Sequence, residues 1–260
     1  MIEKNWSGRG QHVEFQRHDR KLLSDILEVQ DILGSTRTAV VESVKCKRIL
    51  LARKTIRCGR NFTKTQAIEE VAHLNRLDHS HLVQVIGTYA IENELSILMY
   101  PVAEYNLETF IQDLDINHMA DYEWIRRIRF LEHSMGCLAT AVMYIHSKMT
   151  KHMDLKPTNI LIRDIRNSAT YGLGAFKVYI ADFGISRSYD TLDATETDGP
   201  TMFTRKYAAP EVVDRQRRGL AADVFSLGCV FVEICATLAY CSIDIKNYGG
   251  LLSHYKVARS

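Results

Sequence analysis

Six apolar residues, Ile128, Leu131, Met135, Leu138, Val142 and Ile145, recur with spacings of 3, 4, 3, 4 and 3. Residues repeating in this way line one face of an α-helix. A helix of about five turns with one apolar stripe cannot stand alone, so it demands a second layer to pack against. Met135 lies within the stripe and reads as core rather than as a ligand. Upstream, Ile49–Ala52 and Leu95–Tyr100 are short apolar runs of the buried-strand type. Between them Ile68, Val71, Leu74 and Leu77 recur every three residues, which predicts a helical face with Glu70 one residue off it. Downstream come two short strands, Asn159–Ile162 and Phe176–Ile180, separated by a polar, glycine-containing surface excursion over Arg163–Ala175. A second helix is expected from about Asp223 to Leu238. The order is strands with one helix, then helices with two short strands. That predicts an α+β chain in two layers or lobes with a cleft between them, where ligands tend to bind. Residues 1–20 are polar and aperiodic and read as a mobile lead-in.

Composition narrows the class. Of 260 residues, 46% are hydrophobic and 25% charged, as in an ordinary globular chain rather than a disordered one. The net charge of +2 offers no basic footprint for nucleic acid. The first residues contain no apolar core of a secretory signal. The most apolar stretch, Leu227–Cys241, is interrupted by Glu233 and is too short to span a bilayer, so it reads as a buried helix. Six scattered cysteines form no Cys-x-x-Cys pair, so zinc is not expected and reduced thiols are. The expected location is intracellular, in cytoplasm or nucleus, with no membrane span. Oligomeric state is not legible.

The chemistry lies in His152-Met153-Asp154-Leu155-Lys156-Pro157-Thr158-Asn159. His, Asp at +2, Lys at +4 and Asn at +7 sit between a long helix and a strand. Four fixed residues in one window arise by chance in roughly one chain of this length in 600. A later strand ends at Asp182-Phe183-Gly184, followed by Ala209-Pro210-Glu211; upstream, Leu51-Ala52-Arg53-Lys54 closes a strand and Glu70 lies on the next helix. In this ordered set the chain resembles the eukaryotic-type protein kinase family, over about Leu33 to Glu233.

That resemblance implies a bilobal α+β fold. It comprises a small antiparallel N-terminal sheet with one helix, about 21–102, and a larger, mainly helical C-terminal lobe, about 103–260. It implies ATP and Mg²⁺ as cofactors and a protein substrate with a serine or threonine hydroxyl. Phosphoryl transfer is mostly positioning and charge stabilisation. By resemblance Lys54 neutralises the α/β-phosphates and Glu70 anchors that ammonium. Asn159 and Asp182 offer oxygen ligands to Mg²⁺. Asp154 accepts a hydrogen bond from the substrate hydroxyl, and Lys156 stabilises the transferring group. Lys156 at two past Asp154 marks the serine/threonine branch, in which Thr204 braces both. Met99 guards the back of the adenine pocket, Val102 presents its backbone N–H and C=O to the base edge, and Val41, Ala52 and Leu161 sandwich the ring. Gly34 opens the nucleotide-covering loop.

Three departures stand out. The loop Gly34-Ser35-Thr36-Arg37-Thr38-Ala39-Val40-Val41 keeps only the first glycine and final valine of G-x-G-x-x-G-x-V. The β-carbons at Thr36 and Ala39 obstruct close approach to phosphates, so weaker ATP binding is expected. Met153 stands where the family has arginine and has no donor for an activation-loop phosphate at Thr195, Thr197 or Thr201. Few residues follow Glu211, so the C-terminal lobe reads as shortened. Glu211 is then expected as an unpaired buried charge, and the helix 224–238 as incompletely covered. Alternatives are a scaffold that binds nucleotide or protein without transfer, and a metal-dependent hydrolase using His152, Asp154 and Asp182.

Overall fold

Strand pairing organises the first half of the chain. The computed structural model describes residues 6–35, 39–58, 71, 76–114, 119–166, 176–182, 187–188, 204–214 and 219–247. The chain divides into two units, Met1–Val102 and Ala103–Ser260. The first holds β1 (His12–Phe15), α1 (Arg20–Ile26), β2 (Glu28–Ser35), β3 (Ala39–Cys46), β4 (Ile49–Arg57), β5 (Gln84–Ile91) and β6 (Glu94–Tyr100). These strands form one sheet in the order β1-β5-β6-β4-β3-β2. All neighbours are antiparallel except β1, which runs parallel to β5.

Alternation along each strand gives this sheet two different faces. On one, Val44, Cys46, Leu51, Leu98, Tyr89 and Ile91 pack into the unit's main core. On the other, Val85 and Ile97 pack with Val71, and Ile56 and Met99 lie against them. Lys54, two residues from both Ala52 and Ile56, belongs to this second side. Val71 is helical, as its place in the Ile68–Leu77 pattern predicts; the other three residues of that pattern are not all among those described, and Glu70 lies outside them.

The lead-in differs from its sequence reading. Residues 12–15 form β1, and Trp6, Val13 and Phe15 are buried. Between residues 6 and 20 only three large apolar side chains occur, too few to show a period. Their burial depends on a groove supplied by residues some 75 positions away, from Thr88 to Ile91.

The second unit contains β7 (Tyr105–Asn106), α2 (Leu107–Gln112), α3 (Asp121–Ser147), β8 (Thr150–Lys151), β9 (Ile160–Asp164), β10 (Phe176–Ile180), β11 (Arg187–Ser188), α4 (Pro210–Val213) and α5 (Ala221–Asn247). Asn106 starts α2 because its Oδ1 accepts the Thr109 N–H at 2.9 Å. The periodic stripe is the buried side of α3: Ile128, Leu131, Leu138, Val142 and Ile145 are buried and Met135 half-buried. The helix begins earlier than the stripe, adding Trp124 and Arg127 to the interior. Phe110 of α2 meets Phe130 and Phe176 edge-on, with centroids 5.3 and 5.1 Å away. The Arg127 guanidinium lies 4.7 Å over Phe110 and 5.0 Å over Tyr105, and donates to the Tyr105 hydroxyl at 3.2 Å.

The last helix also departs from expectation. It runs well past Leu238, and only 22% of the most apolar 18-residue window within Ala221–Cys241 is buried. Leu227, Val230, Ile234 and Cys241 are buried, while Val224, Phe225, Val232 and Tyr240 are exposed. A helix apolar on all sides carries no readable preferred face; the neighbours present, chiefly α3, select one stripe. By length and composition α5 could cross a membrane, the one such helix among the described residues. Within the second unit Phe110 is the most completely enclosed aromatic anchor of α2. Phe110→Ala should lower unfolding free energy by about 3–5 kcal/mol, read from the urea midpoint; a shift under about 1 kcal/mol would mean the ring cluster is not tightly packed.

Candidate active site

A carboxylate with no water around it needs donors, and Asp223 shows how this site is tied together. It lies in the first turn of α5 and is 2% exposed. Its Oδ2 accepts the His152 backbone N–H at 2.8 Å and the His146 Nε2–H at 3.0 Å, and its Oδ1 accepts the Met153 N–H at 2.8 Å. These bonds hold Met153 at φ +72°, a left-handed conformation that costs a side-chain-bearing residue on the order of 1–3 kcal/mol. The backbone reversal there turns Asp154 out of the buried segment Thr150–His152.

His152 is fully buried, and both ring nitrogens are used. Nε2–H donates to the Ala181 carbonyl at 2.9 Å, while Nδ1 accepts the Asp154 N–H at 3.3 Å. This pattern defines a neutral imidazole bearing its proton on Nε2. With no nitrogen to spare, His152 is not a metal ligand, which removes the hydrolase reading. No group of three or more His, Cys, Asp or Glu suited to a metal occurs among the described residues.

Three donors converge on the Asp154 carboxylate. Lys156 Nζ is 2.6 Å from Oδ2, Asn159 Nδ2 is 3.1 Å from Oδ2, and Thr204 Oγ1 donates to Oδ1 at 3.2 Å. Lys156 Nζ also donates to Thr204 Oγ1 at 3.1 Å, and Asn159 Nδ2 to the Asp154 carbonyl at 2.9 Å. Thr204 is held from α5: the Tyr207 N–H bonds the Thr204 carbonyl, Ser226 donates to the Tyr207 carbonyl, and Tyr207 Oη donates to Glu233. Lys206 adds an ion pair to Glu233 at 2.5 Å. A shallow recess beside Asp154 is lined by Met153, Leu155, Thr204, Tyr207, Ala208 and Val212, among others.

Asn159 ends a short 3₁₀ turn begun by Pro157 and leads into β9. The Ala181 N–H donates to the Asn159 carbonyl at 2.9 Å, so Asp182 follows directly from a residue bonded to Asn159. Asp182 is exposed and adopts φ +59°. An amide oxygen and a carboxylate on adjoining backbone suit a hard cation that keeps most of its waters, so these residues fit Mg²⁺. Leu161 lies on β9 between Tyr179 of β10 and Asn106 of β7.

In the first unit, Ala52 pairs directly with Met99, Lys54 with Val41, and Val41 also with Gly34. Direct partners share a face, so Val41, Ala52, Lys54 and Met99 lie on one side of the sheet. Val102 follows β6; no other described residue hydrogen-bonds its N–H or C=O. A β-carbon at Gly34 would meet nothing within 4 Å. Thr36, Thr38, Glu70 and Phe183–Gly184 lie outside the described residues. Glu211 is half-exposed rather than buried and has no ion pair among the described residues, because the short α4 leaves its side chain near the surface. Sequence reasoning missed Asp223 and His146 as organisers. The available signal was a carboxylate leading an apolar helix, which has to find donors.

Burial pushes the His152 imidazole below its ordinary 6.5 despite nearby carboxylates. Burial also raises the Asp223 carboxyl, but the bonds from His146 and from the His152 and Met153 amides overcome it and hold the group below 3.8. Both groups therefore take up protons more readily in the unfolded chain. Stability should be full above pH 6.5, decline as pH falls below 6.5 through His152, and decline again below 3.8 through Asp223. A melt series that is flat from pH 7 to pH 5 would contradict this. Asp223→Ala, which strands two buried amides, should cost about 2–5 kcal/mol in urea unfolding.

Comparison with known proteins identifies the family. A probable LRR receptor-like serine/threonine-protein kinase of Arabidopsis thaliana is 30% identical over 204 residues, covering 77% of this chain and 34% of its own. A probable CTD kinase subunit alpha homolog of Encephalitozoon cuniculi is 29% identical over 204 residues, covering 78% and 55%. Cyclin-dependent kinase D-1 of Oryza sativa is 26% identical over 251 residues, covering 92% and 53%. The chain thus spans about a third to a half of the length of these relatives. The model of the protein kinase domain matches residues 27–251, so this chain belongs to the protein kinase family.

Proposed function

We propose that the chain transfers the γ-phosphoryl group of ATP to a serine or threonine hydroxyl of a protein. The observation that carries this reading is the Asp154 carboxylate held by Lys156, Asn159 and Thr204. A carboxylate oriented by three donors is preorganised to accept a hydrogen bond from an incoming hydroxyl, so little reorganisation is needed at reaction. Lys156 brings a positive charge to the oxygen that accepts the hydroxyl proton, and beside it stabilises the transferring group. Thr204 receives a hydrogen bond from Lys156 and donates one to Asp154, which fixes their separation. Loss of its hydroxyl leaves Asp154 Oδ1 without its donor and Lys156 without its second acceptor.

Lys54 is assigned to the α/β-phosphates, and Glu70, outside the described residues, is assigned by the resemblance as its anchoring carboxylate. Gly34 opens the covering loop, with Val41, Ala52 and Leu161 against the adenine ring and Met99 behind it. The Val102 N–H and C=O take the base edge. Asn159 and Asp182 are the Mg²⁺ ligands. The ion supplies charge neutralisation between phosphate oxygens when bound.

We assign this chemistry to the cytoplasm or nucleus, a reading supported by six cysteines that are all free thiols. We read α5 as part of the second unit rather than as a membrane span, because its Asp223 is committed to His146, His152 and Met153. Labelled ATP with Mg²⁺ and a mixed serine/threonine peptide library tests the assignment. Asp154→Asn should reduce transfer by about 10²–10⁴-fold with nucleotide affinity nearly unchanged. Thr204→Ser should retain transfer and Thr204→Val lose most of it. Nucleotide binding with no transfer by the unaltered chain would instead establish a scaffold.

A further inference from the structure

Residues 6–15 precede the stretch 27–251 that matches the kinase domain, yet they are built into the first unit's sheet. His12–Phe15 lie beside Thr88–Ile91, and the Gln11 carbonyl accepts the Thr88 N–H at 2.7 Å. Strands β2, β3 and β4 intervene in sequence between β1 and β5. The segment therefore pairs as extended peptides do when they add to a sheet edge, with main-chain bonds for adhesion and alternate side chains for selectivity. Val13 and Phe15, two residues apart, are 6% and 3% exposed. His12 Nδ1 bonds Thr88 Oγ1 at 2.7 Å at the rim.

Trp6 is the anchor. It is 3% exposed; its indole N–H donates to the Gln11 carbonyl at 3.3 Å, and its own carbonyl accepts the Cys46 thiol at 3.7 Å. Its ring centroid is 5.7 Å from Tyr89, which Phe15 meets edge-on at 5.8 Å. The receiving surface is shaped for this ring. A β-carbon on Gly87 would stand 2.3 Å from the indole and 2.8 Å from the Gln11 carbonyl oxygen. The indole thus fills a notch that exists only because residue 87 has no side chain. Beneath it, Arg53 donates to the Tyr89 hydroxyl at 3.3 Å and pairs with Glu42 at 2.7 Å.

We propose that the β5 edge and the Gly87 notch form a peptide-docking groove, and that Trp6–Phe15 is its built-in ligand. The groove takes a peptide with a tryptophan anchor, a bend through Gly8 and Gly10, and a short extended stretch carrying apolar residues seven and nine positions after the anchor, here Val13 and Phe15. Tethering by the short connection to α1 gives the segment a high effective concentration, on the order of millimolar, so a free peptide competes only once the anchor is weakened. Occupation also covers an edge that would otherwise offer unpaired amides.

The full chain carries the test. Gly87→Ala should expel the indole, shifting part of the tryptophan emission to longer wavelength while buried Trp124 stays unchanged, and lowering Tm by roughly 5 °C. In a Trp6→Gly background the same change at Gly87 should lower Tm by less than half as much, since the clash with the indole is gone and only the approach to the Gln11 carbonyl remains. An equal fall in both backgrounds, or unshifted emission in Gly87→Ala, would overturn the docking assignment. A labelled peptide of residues 4–17 should bind the Trp6→Gly chain at least about tenfold more tightly than the unaltered chain. It should bind the Trp6→Gly/Gly87→Val chain least. Equal binding to all three, or none to the first, would show that the groove is not a peptide site.

Discussion

The second unit depends on one buried carboxylate. Asp223 is enclosed by protein and satisfied by two successive backbone amides and an imidazole. Without those donors the charge could not be buried, and without the charge the amides of His152 and Met153 would be stranded. This mutual requirement forces the chain to reverse at Met153. It also ties the start of α5 to the end of α3, through His146, and to the segment bearing Asp154. Residues that reach the site from distant stretches arrive together because each is bonded to a neighbour of that hub.

The reacting positions are supported at one remove. His152 spends one nitrogen on the Ala181 carbonyl and the other on the Asp154 amide, linking the strand end before Asp182 to the loop of Asp154. Tyr207 and Ser226 fasten the turn of Thr204 to α5, so the hydroxyl meets Asp154 and Lys156 without relying on an exposed loop to find its place. Such support gives a polar constellation a single geometry, as preorganisation requires. In the first unit the division of labour is between the two faces of one sheet. One carries Lys54 with Val41, Ala52 and Met99; the other carries the aromatic core with Tyr89, Arg53 and the docked N-terminal segment.

Much of this was legible before any coordinates. The stripe from Ile128 to Ile145 is a helix with that face inward, Phe176–Ile180 is a strand as written, and Leu95–Tyr100 falls within β6. Asp154, Lys156, Asn159 and Thr204, named from a motif and a spacing, are joined by direct hydrogen bonds. The lead-in was misread because its burial comes from a partner strand far along the chain. The partial cover of the last helix agrees with what is expected for 224–238, but uniform apolarity says that it packs and not on which side. Glu211 was misread because charge and position alone do not reveal depth.

Local, periodic order is written in the residues themselves: element type, the alternation that divides the sheet, and the spacing that ranges His, Asp, Lys and Asn along one loop. Tertiary structure alone decided which atoms satisfy which. The carboxylate of Asp223 could have bonded any donors within reach, and the notch at Gly87 becomes a site only when a ring fills it. Periodicity follows from backbone geometry a few residues at a time. Burial and hydrogen-bond partnership depend on contacts between residues seventy or more positions apart, and no short window of sequence contains them.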